Sequence, residues 1–410
     1  MATEGYKSVT EFAEAWGVTS RRVRDFCVSG RIAGVKQEGR NWLIPSDAEK
    51  PVDGRTARFA GFGGGEAQVC DTVQDAAEKQ KEEEKMAERR RNMMDYCPDI
   101  KVVDATMRDG GLVNNFGFSD EFVRELYQAN IAAGVDYMEF GYRASKTMFN
   151  PSEFGKWKFT DEGDLRAIVG DNDSPMKISI MADAGRTDYK TDILPRKDSV
   201  VDLVRVACYI HQIPTAIDMI EDAKAKGYEV SCNLMAVSKV READLLAGLK
   251  MLAKSSTDMV YIVDSFGNYY PEEMAELARK YIDIIGGAGK EVGFHGHNNQ
   301  QLAFANTIEC CRVGVNYLDA TVNGLGRGAG NCYSEALLSF LKNPKFKAEP
   351  ILDFITKHML PMKAAGVVWG YDVPYLLTGI MNVHPSSAIK FIKDGRTDYS
   401  SLLHEIMEME

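Results

Sequence analysis

From residue 99 onward, short β-branched or apolar runs alternate with longer amphipathic stretches, and eight such runs can be counted. They are Lys101–Asp104, Tyr137–Gly141, Lys177–Ala182, Leu203–Ala207, Glu229–Leu234, Met259–Val263, Glu291–Phe294 and Tyr317–Val322. Runs of this length bounded by polar residues read as buried strands, and the stretches between them carry helical periodicity. Spacings of roughly 25–40 residues fit βαβ units, and eight of them over about 240 residues close into a barrel. The expected fold class is therefore α/β: a (β/α)8 TIM barrel over residues 99–343, with a C-terminal helical extension over 344–410. In such a barrel the polar clusters that end the runs gather on one catalytic face.

With 410 residues, 45% of them apolar, the chain exceeds one ordinary domain and has ample material for a large core. Its formal net charge of −11 argues against nucleic-acid binding by the molecule as a whole, though not by a local module. The opening Met-Ala-Thr-Glu-Gly lacks a charged-then-apolar leader, and no apolar run approaches membrane-span length. The eight cysteines are scattered, with Cys310 and Cys311 adjacent, which suits neither a disulfide framework nor a metal knuckle. A reduced, cytoplasmic protein is expected.

Two strand ends carry chemistry. The first run closes on Asp104-Ala105-Thr106-Met107-Arg108-Asp109-Gly110-Gly111, which sets a hard oxygen ligand beside a permanent cation. The seventh closes on Phe294-His295-Gly296-His297-Asn298. Residues i and i+2 of a strand share a side, so His295 and His297 can converge on one metal ion. Two imidazoles and the Asp109 carboxylate leave half an octahedral shell open for substrate and water. Asn233 and Asp264 end the fifth and sixth runs and are expected to line a substrate pocket. His211, His358, His384 and His404 fall in helices or loops without evident partners.

These motifs resemble the DRE-TIM metallolyases, most closely the 4-hydroxy-2-oxovalerate aldolase-like branch. The resemblance rests on Asp104–Gly110, on Glu139 in Met-Glu-Phe-Gly, on His295-Gly-His297-Asn, and on Asn323-Gly-Leu-Gly-Arg-Gly-Ala-Gly-Asn331. It implies a divalent cation (Mn²⁺, Mg²⁺ or Co²⁺) held by Asp109, His295 and His297, joined in some branches by Asn331. It further implies that Arg108 stabilises an enolate oxygen and binds substrate, and that Glu139 orients Arg108. The implied reaction makes or breaks a carbon–carbon bond in a 4-hydroxy-2-oxo acid through a pyruvate enolate. Such an enolate needs its charge held in a dry site, and a base must take the 4-hydroxyl proton. The aldolases place a histidine for that task just after Arg-Asp-Gly, where this chain reads Gly111-Leu112-Val113-Asn114-Asn115. A tyrosine of Gly370-Tyr371-Asp372-Val373-Pro374-Tyr375 is the substitute, Tyr375 matching better. A Claisen-type synthase joining an acyl-CoA to a 2-oxo acid is the second enzymatic reading. A homo-oligomer is expected, and a partner dehydrogenase is left open, because aldolases of this family hand their product to one.

Residues 1–50 differ in character. A short helical pattern from Val9, a turn at Trp16–Thr19, a helix carrying Arg21, Arg22 and Arg24, and a hairpin from Val35 to Ile44 resemble small winged helix-turn-helix domains of the MerR and excisionase type. DNA contact by the second helix and a protein-interaction role weigh equally, since basic and acidic residues nearly balance there. A third overall reading follows: a regulator whose barrel senses a metabolite. Residues 51–98, with Ala60–Gly65 and a charged stretch from Glu78 to Arg91, read as a flexible and charged helical linker.

Overall fold

The computed structural model describes residues 6–28, 32, 34–38, 41–50 and 99–408. The expected linker over 51–98 lies outside the described residues, as do Gly30 and Arg31. Two units divide the chain, Met1–Asp75 and Ala76–Glu410.

In the first unit, strand β1 (Tyr6–Ser8) leads directly into the helix Val9–Trp16. Ser8 starts that helix by a reciprocal cap: its hydroxyl accepts from the Glu11 amide while its own amide donates to Glu11 at 2.7 Å. Gly17 at φ 62° ends it. The helix Ser20–Val28 follows, then β2 (Lys36–Glu38) and β3 (Asn41–Pro45). The strands form an antiparallel sheet in the order β1-β3-β2. Val9, Phe12, Val23, Phe26, Ile32 and Ile44 make a small core of their own.

The second unit is a closed parallel barrel in the order β10-β11-β4-β5-β6-β7-β8-β9. Its strands are β4 (Lys101–Asp104), β5 (Tyr137–Tyr142), β6 (Lys177–Asp183), β7 (Leu203–Cys208), β8 (Glu229–Leu234), β9 (Met259–Asp264), β10 (Glu291–Gly296) and β11 (Tyr317–Ala320). The eight expected runs are these eight strands, with ends moved by one or two residues. The last run stops early because Val322–Gly324 coils into a 3-10 turn. Arg108 and Asp109 require a larger revision. They do not extend the first strand but sit in the opening turns of the helix Thr106–Asn114, which begins one residue after Ala105.

The helices are placed by ordinary end signals. In Asp120–Ala133 the Ser119 hydroxyl accepts from the Phe122 amide at 3.2 Å, and Asp120 and Glu121 meet the positive helix end. Gly134 stops it at φ 77°, where a Cβ would lie 2.1 Å from the Lys345 carbonyl. Inside the barrel, Val103, Tyr137, Leu203, Met259, Tyr261 and Val263 form an apolar cluster. The charged residues of the same inward faces, Glu139, Arg205 and Asp319, are each no more than 1% exposed.

Among the described residues after 344, helices predominate and lie against the loops at the strand ends. The Trp369 indole donates to the Asn323 carbonyl at 3.0 Å, Asn299 donates to Thr378 at 3.3 Å, and the Ser238 hydroxyl donates to Asn382 at 2.7 Å. His358 has a partner after all: its Nε2 meets Glu125 at 2.7 Å. Among the described residues Cys27, Cys208, Cys232, Cys310, Cys311 and Cys332 are buried and unbridged. No described helix is long and apolar enough to cross a membrane.

Candidate metal and substrate site

The helix Thr106–Asn114 carries Arg108 and Asp109 under the mouth of the barrel, and β10 delivers His295 and His297 to the same place. One ligand atom from each of Asp109, His295 and His297 lies within 4.8 Å of the others, and all three residues are buried. His297 stands one residue past the strand and is fixed by a bridge to Asn331. Asn331 donates its amide N–H to Asp109, which leaves its Oδ1 buried with no partner. Gly326 makes the closeness tolerable: a Cβ there would lie 2.1 Å from Asn331 Nδ2 and 2.3 Å from Asp109 Oδ2.

A ring of alternating charges surrounds this group. Arg108 donates from Nη1 to Asp109 and from Nε to Glu139, both at 2.8 Å. Arg205 donates to Glu139 at 3.0 Å and to Asp319 at 2.6 Å. His295 Nδ1 lies 3.0 Å from Asp319. Since a carboxylate can only accept, that nitrogen carries the proton and Nε2 remains a lone pair on the ligand side. Nε2 lies 3.4 Å from Arg108 Nη2, which closes the ring.

Burial pushes the Asp109 carboxyl upward, but His297, Arg108, His295 and Arg327 overcome it and hold the group well below the usual carboxylate range. Burial drives His297 down to about 3, against the pull of Asp109. A carboxylate fixed ionised beside a histidine fixed neutral is the protonation state that a metal site requires. The ring fits a dication in two ways. The Asn331 Oδ1 is a buried acceptor without a donor. Three carboxylates also outnumber two guanidiniums, leaving uncompensated negative charge in a dry site.

The remaining expected residues fall around this centre unequally. Tyr375 is half-buried at the rim, its ring 3.4 Å from where a Gly328 Cβ would be. Burial and Asp372 raise its phenol, so Tyr375 stays protonated. Asn233 accepts from Ser231 at 2.8 Å and is 2% exposed. Asp264 turns back on its own loop, accepting from the Asn268 amide at 3.2 Å, while its Oδ2 is buried without a partner. Leu112 is 37% exposed on the helix that bears Arg108.

Burial raises Asp264 to about 7, against the backbone amides of residues 266–269. A carboxyl raised in the folded state contributes stability that is complete below its unfolded value near 4 and is lost as pH rises to about 7. Asp264→Asn keeps the acceptor and removes the charge. Its stability relative to wild type is expected to be near zero at pH 4 and to grow to at most about 4 kcal/mol above pH 7. Chemical denaturation at several pH values measures this, and a difference that does not change with pH would contradict it.

Sequence reading passed over Arg205, Asp319, Asp183, Lys158 and Arg327. A visible signal existed for the first two, each a lone charge inside an apolar strand. Asp183 ends β6 two residues beyond Met181 and four beyond Ser179, which is paired with Glu139, so it shares their inward face. Burial raises its carboxyl, while Lys158, Arg186 and Arg108 pull it down. Lys158 is 7% exposed, with its ammonium 4.4 Å from the Tyr142 ring centre and 4.5 Å from that of Phe149.

The HMGL-like family matches residues 205–357. An oxaloacetate decarboxylase of Mycobacterium tuberculosis is 34% identical over 262 residues, covering 62% of this chain and 73% of that protein. A 4-hydroxy-2-oxovalerate aldolase of Geobacillus thermodenitrificans is 31% identical, covering 59% of this chain and 69% of the aldolase. Among solved structures, the N-terminal domain of a putative aldolase from Bacteroides vulgatus superposes with a TM-score of 0.62 at 29% identity, covering 72% of this chain and 96% of that one. Hydroxymethylglutaryl-CoA lyase from Pseudomonas aeruginosa, 16% identical with a TM-score of 0.52, shares the fold.

Proposed function

Because this chain belongs to the HMGL-like family of DRE-TIM metallolyases, we propose that it is a divalent-metal-dependent lyase that splits a 4-hydroxy-2-oxo acid into pyruvate and an aldehyde. The observation that carries the reading is the convergence of Asp109, His295, His297 and the unpartnered Asn331 Oδ1 beside Arg108. These four residues would hold the cation, which supplies Lewis acidity toward the 2-oxo group.

The chain's own residues account for the rest. Arg108 sets a permanent positive charge where negative charge develops on the enolate oxygen, and burial makes that charge count. Glu139 and Asp109 fix its guanidinium from two sides. The 4-hydroxyl proton needs an acceptor. Tyr375, held protonated, is suited to donate a hydrogen bond instead. Asp183, partly exposed on the inward face with a raised carboxyl, is suited to accept. In this reading residues 1–50 form a winged helix-turn-helix domain, 99–343 the catalytic barrel and 344–410 its helical cover.

The test is pyruvate release from a panel of 4-hydroxy-2-oxo acids, with Mn²⁺, Mg²⁺ or Co²⁺ added to metal-stripped protein. Metal-dependent release is expected. Asp183→Asn should lower kcat by about 10²–10⁴-fold while metal content is unchanged. Absence of turnover with every metal and every substrate would defeat the proposal.

A further inference from the structure

The loop Gly324–Gly330 passes closer to the ligand set than any strand-end loop need do. Its Gly326 abuts Asp109 and Asn331, and its Gly328 abuts the Tyr375 ring. Arg327 stands between them, in a segment tied down by the Gly370 amide on the Gly328 carbonyl at 3.4 Å. Its Nε is buried without a hydrogen-bond partner, and no carboxylate of the described residues lies within ion-pair distance of its guanidinium. Its positive charge is felt at Tyr375 and His384.

Arg108 and Arg205 each hold two carboxylates of the ring, whereas Arg327 holds none. A guanidinium with a buried, unpartnered Nε is well placed for an anion, and its planar fork is matched to a carboxylate. We infer that Arg327 receives a second carboxylate at the far end of the substrate, so that the enzyme acts on dicarboxylic 2-oxo acids. The charge balance points the same way. Counting the ring's three carboxylates and two guanidiniums, a dication and Arg327, two positive charges stand in excess, which a dianionic substrate neutralises. Other cations near the mouth lack a close carboxylate too, but four aromatic rings wall the Lys158 ammonium, Arg143 donates to the Asp192 carbonyl at 2.8 Å, and Arg186 is exposed.

This inference rests on the lyase reading, and its test is built so that the two can fail separately. In 4-hydroxy-2-oxoglutarate and 4-hydroxy-2-oxovalerate the far end is a carboxylate and a methyl group on the same five-carbon frame. Wild-type kcat/KM is expected to favour the dicarboxylate by about 10²-fold, the equivalent of one desolvated charge-assisted contact. Arg327→Gln should bring that ratio to within about threefold of unity through a rise in KM for the dicarboxylate, and Arg327→Lys should restore part of it. Binding of 2-oxoglutarate against 2-oxopentanoate to the Mn²⁺-loaded protein, measured by calorimetry, gives the same comparison without turnover. Discrimination in binding that Arg327→Gln abolishes, with no cleavage of any substrate, upholds the role of Arg327 and removes the lyase reading. Cleavage of both substrates with equal efficiency, or a preference that survives Arg327→Gln, overturns the inference and leaves the lyase standing.

Discussion

Asp109→Ala is expected to strip the purified protein of divalent metal and to abolish turnover, while the barrel still unfolds in one cooperative transition. Asp109 is the one anionic ligand in the cluster, and His295 and His297 alone would hold a hard dication weakly. Loss of an outer partner costs a metal site roughly 10–100-fold in affinity, and loss of the charged ligand must cost more. The fold should survive because Arg108 keeps Glu139 when Asp109 is gone, so no buried guanidinium is left without a carboxylate. Metal analysis of the isolated protein, calorimetric titration with Mn²⁺ and thermal unfolding without metal test the three parts. A variant that retains full metal occupancy would overturn the site; one that fails to fold would show Asp109 to be structural first. Asp109→Asn then separates the two, since it preserves shape and removes charge.

The barrel was legible from residue 99 because a parallel strand buried on both faces leaves an unbroken apolar run, and the eight runs are the eight strands. The convergence of His295 and His297 was readable for a related reason: they sit two apart at a strand end, where the period of two decides their side. What the sequence hid is geometry across the barrel. Arg108 and Asp109 read as a strand end, yet Asp104 accepts from the Thr106 amide at 3.4 Å and the chain becomes helical at once. Arg205, Glu139 and Asp319 belong to different strands, at separations of 66 and 114 residues, and no local pattern links them. Asp264 looked like pocket lining because it ends a strand, but a carboxylate followed by free backbone amides closes its own loop first. Arg327 was concealed by its glycines, which bring the backbone against Asp109 and Asn331.

Arg205→Met is expected to be the most destabilising single change in the barrel, by about 3–5 kcal/mol in chemical denaturation. Arg205 is fully buried, its guanidinium carbon 4.4 Å from the Tyr261 ring centre, and it is the only bridge between Glu139 and Asp319 among the described residues. Removing it leaves Asp319 with His295 alone and places two buried carboxylates in a site that has lost half its cationic charge. The penalty comes from the stranded anions rather than from the missing contacts, so a second substitution should relieve it. Arg205→Met combined with Asp319→Asn is expected to be more stable than Arg205→Met alone, with a coupling of about 1–3 kcal/mol. Activity should not recover, because His295 then loses the carboxylate that holds its Nδ1 proton and directs Nε2 to the ligand side. Equal, additive losses from the two substitutions would show that the ring is a set of independent contacts. A stability rescue without metal rescue is the outcome that assigns Arg205 to the fold and Asp319 to both.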